Sequence, residues 1–143
     1  MEIKQEKKII AAGGVIYRKI NEIEEIIVCK RTKTNLFALP KGKSEIGEDL
    51  ESTALREVEE ETGLKCEINK IIDMIEYLVP HGEIFFPKEV TFFLMTPNGG
   101  KLDLHDHEFD EVKWMSIYRA INVLTFQSES DIVNKVLSRA GSI

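Results

Sequence analysis

Three observations predict an α/β (α+β) fold built on a mixed sheet. Segments of strand character and of helix character alternate in the order strands, helix, strands, helix. The clearest helix signal, over 49–62, falls in the middle of the strands instead of after them all. The chain has 143 residues, 43% apolar and 31% charged, a size at which one core buries roughly 70% of the extended surface. With no repeat, low-complexity tract or linker, residues 1–143 read as a single domain.

The first strand signal is Ile9 to Tyr17, apolar with Gly13 and Gly14 at its centre, where a bulge or a close backbone approach is expected. Polar Arg18 to Glu25 reads as a loop, and Ile26 to Cys29 as a short buried strand, so the two runs pair as a hairpin. The basic residues Lys30, Arg31 and Lys33 follow, and Asn35 to Gly47, with Pro40, Gly42 and Gly47, reads as irregular. In the helix, Leu50, Ala54 and Val58 form one apolar stripe. Asp49 is placed to cap its start and Gly63 its end, with Leu64 as the apolar contact that follows. Strands resume over Cys66–Ile75, Glu76–Val79 and Glu89–Thr96, with Pro97-Asn98-Gly99-Gly100 as a turn. A last strand is expected over Glu111–Ser116, with Val112 and Trp114 on one face. Two helical patterns close the chain, one through Ile117, Ala120, Ile121 and Leu124, the other through Ile132, Val133, Val136 and Leu137 with Gly141 as its stop.

Charge and cysteine content narrow the function. The net charge of −6 argues against binding a nucleic-acid polymer, which requires a basic face. It does not exclude a small anion at a locally positive site. No apolar run reaches the roughly 20 residues of a membrane span, and the start MEIKQEKKII has no long apolar stretch or small-residue cleavage site. Cys29 and Cys66 are far apart and match no metal-ligand spacing, so they read as small core residues. A cytoplasmic protein, monomer or homodimer, with no membrane partner is the expectation.

The chemistry concentrates on the helix. Glu57 and Glu61 are four residues apart, and Glu57 and Glu60 three, so these carboxylates share one side. Like charges so placed repel by a few tenths of a kcal/mol per pair, and a hard divalent cation such as Mg²⁺ removes that repulsion. Taken alone, the run reads as an acidic solvated face. Its context is more specific. Five residues separate Gly42 from Glu48, and seven more lead to Arg56-Glu57-Val58, then Glu60-Glu61 and Gly63-Leu64.

This spacing resembles the Nudix box, GX5EX7REUXEEXGU, at every specified position, with Val58 and Leu64 as its aliphatic residues. The resemblance extends to the AAGGV strand before the box and the Trp-bearing strand and helix after it. It implies a Nudix-type α/β/α sandwich with a mixed sheet and the box as loop-helix-loop. It also implies Mg²⁺-dependent or Mn²⁺-dependent hydrolysis of a nucleoside diphosphate linked to another group. By position, Glu60 and Glu61 match metal ligands, Glu57 a metal ligand or proton acceptor, and Gly42 a carbonyl ligand. Arg56 matches the arginine that orients these carboxylates, and Glu48 a supporting residue. Glu59 falls on another side of the helix.

Outside the box, Lys41 and Lys43 flank Gly42 and, with Arg31, are candidates to meet phosphate. Each also reads as a solvated surface residue. In the acidic stretch His105 to Glu111, Glu108 best matches the loop glutamate that related enzymes use as an extra ligand or base, with Glu111 second. Tyr77, with Phe85 or Phe86, is a candidate to stack on a base. Leu39-Pro40-Lys41-Gly42-Lys43 is similar to diadenosine polyphosphate hydrolases and diphosphoinositol polyphosphate phosphohydrolases. The segment from Glu108 to Trp114, with Leu124-Thr125-Phe126, is similar to the first of these and to nucleoside triphosphate pyrophosphohydrolases. A dinucleoside polyphosphate or nucleoside triphosphate is therefore the expected substrate. ADP-ribose or another nucleotide sugar, a diphosphoinositol polyphosphate, and a catalytically silent nucleotide-binding module are the alternatives. The silent module is disfavoured because all three box glutamates are present.

Overall fold

The computed structural model describes residues 7–140, with side chains through 137. The start of the chain and Gly141, read above for a leader and a helix stop, lie outside these residues. Seven strands form one mixed sheet: β1 (Ile9–Ile20), β2 (Ile23–Arg31), β3 (Leu36–Ala38), β4 (Lys41–Lys43), β5 (Leu64–His81), β6 (Ile84–Gly100) and β7 (Glu111–Ser116). Three helices accompany them: α1 (Leu50–Thr62), α2 (Ile117–Val123) and α3 (Gln127–Ala140). The main path runs β3-β2-β1-β6-β5, while β4 joins β1 and β7 joins β2. Among the described residues only the β1–β6 pairing is parallel; the other pairings are antiparallel.

Alternation along β1 explains the layering. Ala11 and Val15 face one core with Leu39, Phe92, Met115, Ile132 and Val136, under α2 and α3. Ala12 and Ile16 face the other with Ile27, Cys29, Phe93 and Met95, under Ala54 and Val58 of α1. Period-2 strands between two amphipathic helical layers make the expected α/β/α sandwich. No helix among the described residues is long and apolar enough to cross a membrane.

Several element boundaries differ from the sequence reading. Arg18–Glu25 is mostly strand: Ile20 pairs with Ile23, and the chain reverses at Asn21 and Glu22, both with positive φ (50° and 68°). Its polar residues point to solvent and satisfy one another across the ribbon. Arg18 bonds Glu25 at 2.9 Å and lies 4.0 Å from the centre of the Trp114 ring, and Tyr17 donates to Glu24 at 2.9 Å. The three expected strands between 66 and 96 merge into one long hairpin whose reversal falls at Gly82-Glu83, between paired His81 and Ile84. Pro97–Gly100 is extended, with Leu64 opposite Gly100, and a register shift at Lys65/Cys66 absorbs the extra residue. The segment 35–47 contains β3 and β4, and β4 places Gly42 opposite Ala12 of β1.

Candidate active site

The site is built where β4 meets α1. Asp49 caps the helix, its Oδ1 accepting from Ser52 N at 2.8 Å. Gly63 ends it in the left-handed region, with φ 79°. Gly42 is required for a different reason. A Cβ at that position would overlap the Glu57 carboxyl group, so the glycine lets that carboxyl group lie against the β4 backbone.

Arg56 is the hub of the box. Its Nε and Nη2 donate to the two oxygens of Glu48 at 2.8 and 2.9 Å. Its Nη1 reaches Glu57 Oε1 at 2.8 Å and Glu60 Oε2 at 3.3 Å, and Nη2 also donates to the Lys43 carbonyl at 2.9 Å. One planar guanidinium thus joins the loop to both ends of the carboxylate row. Bonding to Arg56, with the Glu45 amide and the Thr53 hydroxyl, lowers the Glu48 pKa to about 2. Glu61 is different: it is 6% exposed, and its Oε2 accepts from the Lys41 backbone N–H at 2.7 Å. Burial pushes its pKa up to about 8 against that bond, with Glu57 and Asp106 adding repulsion. Burial also raises Glu57, opposed by Arg56. Glu60 and Glu59 are exposed.

The residues fit a hard divalent cation by chemistry. Three carboxylates and the Gly42 carbonyl supply oxygen donors, and buried Glu61 feels the charges of Glu57 and Asp106 as well as that of Lys41. Among the described residues no three His, Cys, Asp or Glu side chains converge closely enough to enclose an ion as they stand. Arg56 draws Glu57 and Glu60 to itself instead.

The loop before β7 brings Asp106, not only Glu108, to the site. Asp106 N donates to the Glu60 carbonyl at 2.8 Å, and its charge is felt by Glu57 and Glu61. Glu108 is turned toward Arg31, which meets its Oε1 at 2.7 Å and its carbonyl at 3.2 Å. That bridge, Phe109 buried beneath Arg31, and Asp110 accepting from Thr32 N at 2.9 Å fasten the loop to the end of β2. An open cleft of about 590 Å³ lies beside it, lined by Arg56, Glu60, Lys65 and Asp106 among others.

On the other side of Glu61, Lys41 is paired with Glu129 of α3 at 2.7 Å. Burial works against its ammonium, but the charge and hydrogen bond of Glu129 outweigh it and hold the pKa above the ordinary value. Lys88 of β6 joins Lys41 and Lys43, and its own pKa is lowered by burial and by the charges of both. Lys88 lies 5.9 Å from the Tyr77 ring and Lys41 lies 6.0 Å from that of Phe126. Tyr77 and Phe126 line a second cleft, of about 340 Å³. Phe85 sits exposed near the hairpin tip, and Phe86 stacks on His81 at 4.6 Å. Lys88 and Glu129 went unnoticed in the sequence because neither belongs to a spaced motif, while Asp106 and Phe126 stand out there only as members of the stretches His105 to Glu111 and Leu124-Thr125-Phe126.

A family model described as the NUDIX domain matches residues 7–133. The chain belongs to the NUDIX domain family. Members of this family generally use divalent metal ions. This Nudix chain is 26% identical over 145 residues to the 8-oxo-(d)GTP phosphatase of Mycolicibacterium smegmatis, covering 95% of this chain and 44% of the relative. It is 34% identical over 120 residues to Nudix hydrolase 6 of Arabidopsis thaliana, covering 79% of this chain and 41% of the relative. The chain therefore spans less than half the length of these two curated relatives. In fold it is similar to an Ap4A hydrolase of C. elegans seen in a binary complex, with a TM-score of 0.75 and 24% identity over 94% of this chain and 99% of the other.

Proposed function

We propose that this Nudix domain hydrolyses a pyrophosphate bond in a nucleoside diphosphate-linked substrate, with Mg²⁺ and in its place Mn²⁺. The substrate we assign is a dinucleoside polyphosphate, such as diadenosine tetraphosphate, or a nucleoside triphosphate. The observation that carries this reading is the cluster of Lys41, Lys43 and Lys88 between the α1 carboxylates and the Tyr77–Phe126 cleft. Lys88 stands close enough to the other two to feel their charge. Lys41 is paired with Glu129, which leaves Lys43 and Lys88 to meet a polyanion, and an aromatic cleft beside them suits a base. The names of the relatives, one acting on an oxidised guanine nucleotide and one on Ap4A, fit the same class.

Gly42, Glu57, Glu60 and Glu61 would hold the divalent cation, with Asp106 completing the oxygen set. Bound there, such a cation neutralises phosphate charge and acidifies water. Glu57 would accept the proton of the attacking water; it lies half-buried against Gly42, with Arg56 bonded to one oxygen. Asp106 takes the role that sequence position suggested for Glu108, because Arg31 holds the Glu108 carboxylate to brace the loop. Lys43 and Lys88 meet the phosphate chain, and Lys41 joins them at one side of its bond to Glu129. Tyr77 and Phe126 receive a base.

A substrate panel tests the proposal. The protein with Mg²⁺ is given diadenosine tetraphosphate, nucleoside triphosphates, oxidised guanine nucleotides, ADP-ribose and a diphosphoinositol phosphate, and products are identified. Cleavage of one of the first three classes is expected. Cleavage of ADP-ribose with those three inert would overturn the substrate assignment, and an inert panel would overturn the activity.

A further inference from the structure

Glu129 is 1% exposed, and the reaction described above gives it no task. Its two oxygens are divided between partners. Oε1 accepts from Leu39 N at 2.8 Å, and Oε2 meets Lys41 Nζ at 2.7 Å. The same Lys41 donates its backbone N–H to Glu61 Oε2 at 2.7 Å, and the next residue is Gly42. Four residues before Glu129, Thr125 secures the other end of this segment. Its N–H donates to the Phe37 carbonyl at 3.0 Å, and its hydroxyl accepts from Phe37 N at 2.8 Å. Residues 37–41 are thus pinned to the start of α3 at both ends. One of those pins, the Lys41 side chain, belongs to the residue whose amide orients a box carboxylate.

We propose that Glu129 is a positioning residue for the reaction, acting through the backbone of residues 39–41 to set Glu61 and the Gly42 carbonyl. The inference rests on the proposed function for what Glu61 and Gly42 do. A carboxylate this deeply buried is costly unless bonded, and here both of its oxygens bond to residues 39 and 41, the stretch that leads into Gly42 and whose Lys41 amide holds Glu61. Glu129→Gln retains an acceptor for Leu39 but removes the counter-charge of Lys41, so the segment loses one of its two ties. Partners that orient ligating groups typically contribute about 10- to 100-fold in metal affinity.

The test measures Mn²⁺ binding to the substrate-free protein by calorimetry, beside kcat, KM and thermal melting. Glu129→Gln is expected to weaken Mn²⁺ binding by about tenfold and to lower kcat by at least about tenfold, without raising KM. Glu129→Asp keeps the charge but is shorter by one methylene, so it cannot reach both donors. It is expected to fold and to give a smaller loss of the same kind. A purely structural role predicts a lower melting temperature with Mn²⁺ affinity and kcat within twofold of the parent. That result in either folded variant, or a loss confined to KM, overturns the proposal. If the parent protein is inert toward every substrate yet binds Mn²⁺, the proposed function fails, and the Mn²⁺ affinities of the variants still decide the role of Glu129.

Discussion

Replacing Gly42 by alanine separates the site from the fold. The added Cβ would overlap all three atoms of the Glu57 carboxyl group. Ordinary carbon contacts lie at roughly 3.5–4.0 Å, so the carboxyl group must withdraw by more than about 1 Å. It is the free end of a flexible side chain and has solvent to move toward, which limits the cost. An off-rotamer χ angle costs about 0.5–1.5 kcal/mol, and a partly exposed ion pair with Arg56 up to about 1 kcal/mol. A total near 2 kcal/mol corresponds to a fall in Tm of roughly 4–8 °C for a chain this long. Catalysis should suffer more, because displacing a reacting group by about 1 Å costs on the order of 100-fold. The assay pairs a calorimetric melt with kcat on the best substrate of the panel. A Gly42→Ala protein that melts within 1 °C of the parent and keeps half its kcat would refute the placement of Glu57 against Gly42.

Further outcomes follow from the same geometry. Lys88→Met is expected to raise KM several-fold with little change in kcat, and steady-state kinetics decide it. Since burial and neighbouring lysines lower the Lys88 pKa, its charge is lost at a lower pH than in an ordinary lysine, and KM should climb early on the alkaline side in the parent but not in the variant. Phe126→Ala removes a stacking wall worth roughly 1–3 kcal/mol, so KM for a nucleotide should rise about 5- to 150-fold, while inorganic polyphosphate binding stays unchanged. Glu48 carries a depressed pKa of about 2 in the fold, so its contribution to stability is present above its unfolded pKa and fades as pH falls toward 2. Glu48→Gln should accordingly melt below the parent at pH 7 and draw level with it near pH 2, as followed by circular dichroism.

The box was legible in the sequence because its chemistry is local. Arg56, Glu57, Glu60 and Glu61 share one helix, and helical spacing alone places them together. The central helix with its caps and the two terminal helices were legible for the same reason, and the mixed sheet from the order of the elements. The ribbon through Arg18–Glu25 was not. Its polar residues satisfy one another across strands, and a reversal at Asn21-Glu22 carries no glycine to announce it. Pro97–Gly100 reads as a turn from composition, yet pairing with the start of β5 holds it extended. The substrate side of the site was the least visible. Lys88 lies on β6, Phe126 and Glu129 near α3, and Lys41 on β4, and only the packing of α3 against the sheet brings them together. Asp106 and Glu108 are two residues apart in one acidic stretch, and it is Arg31, nearly eighty residues away in sequence, that holds the Glu108 carboxylate.

Isotope-labelled turnover tests the central claim most directly. The parent protein, Glu57→Gln and Glu60→Gln are each incubated with diadenosine tetraphosphate or a nucleoside triphosphate in ¹⁸O-water, with Mg²⁺ or with chelator, and the products are read by mass spectrometry. The parent with Mg²⁺ should yield nucleotide products carrying one water-derived oxygen. Chelator should silence it, and each variant should lose roughly 100-fold or more in rate while melting close to the parent. Undiminished turnover in both variants, or in chelator, would contradict the assignment of the α1 carboxylates to divalent-cation chemistry on a pyrophosphate bond.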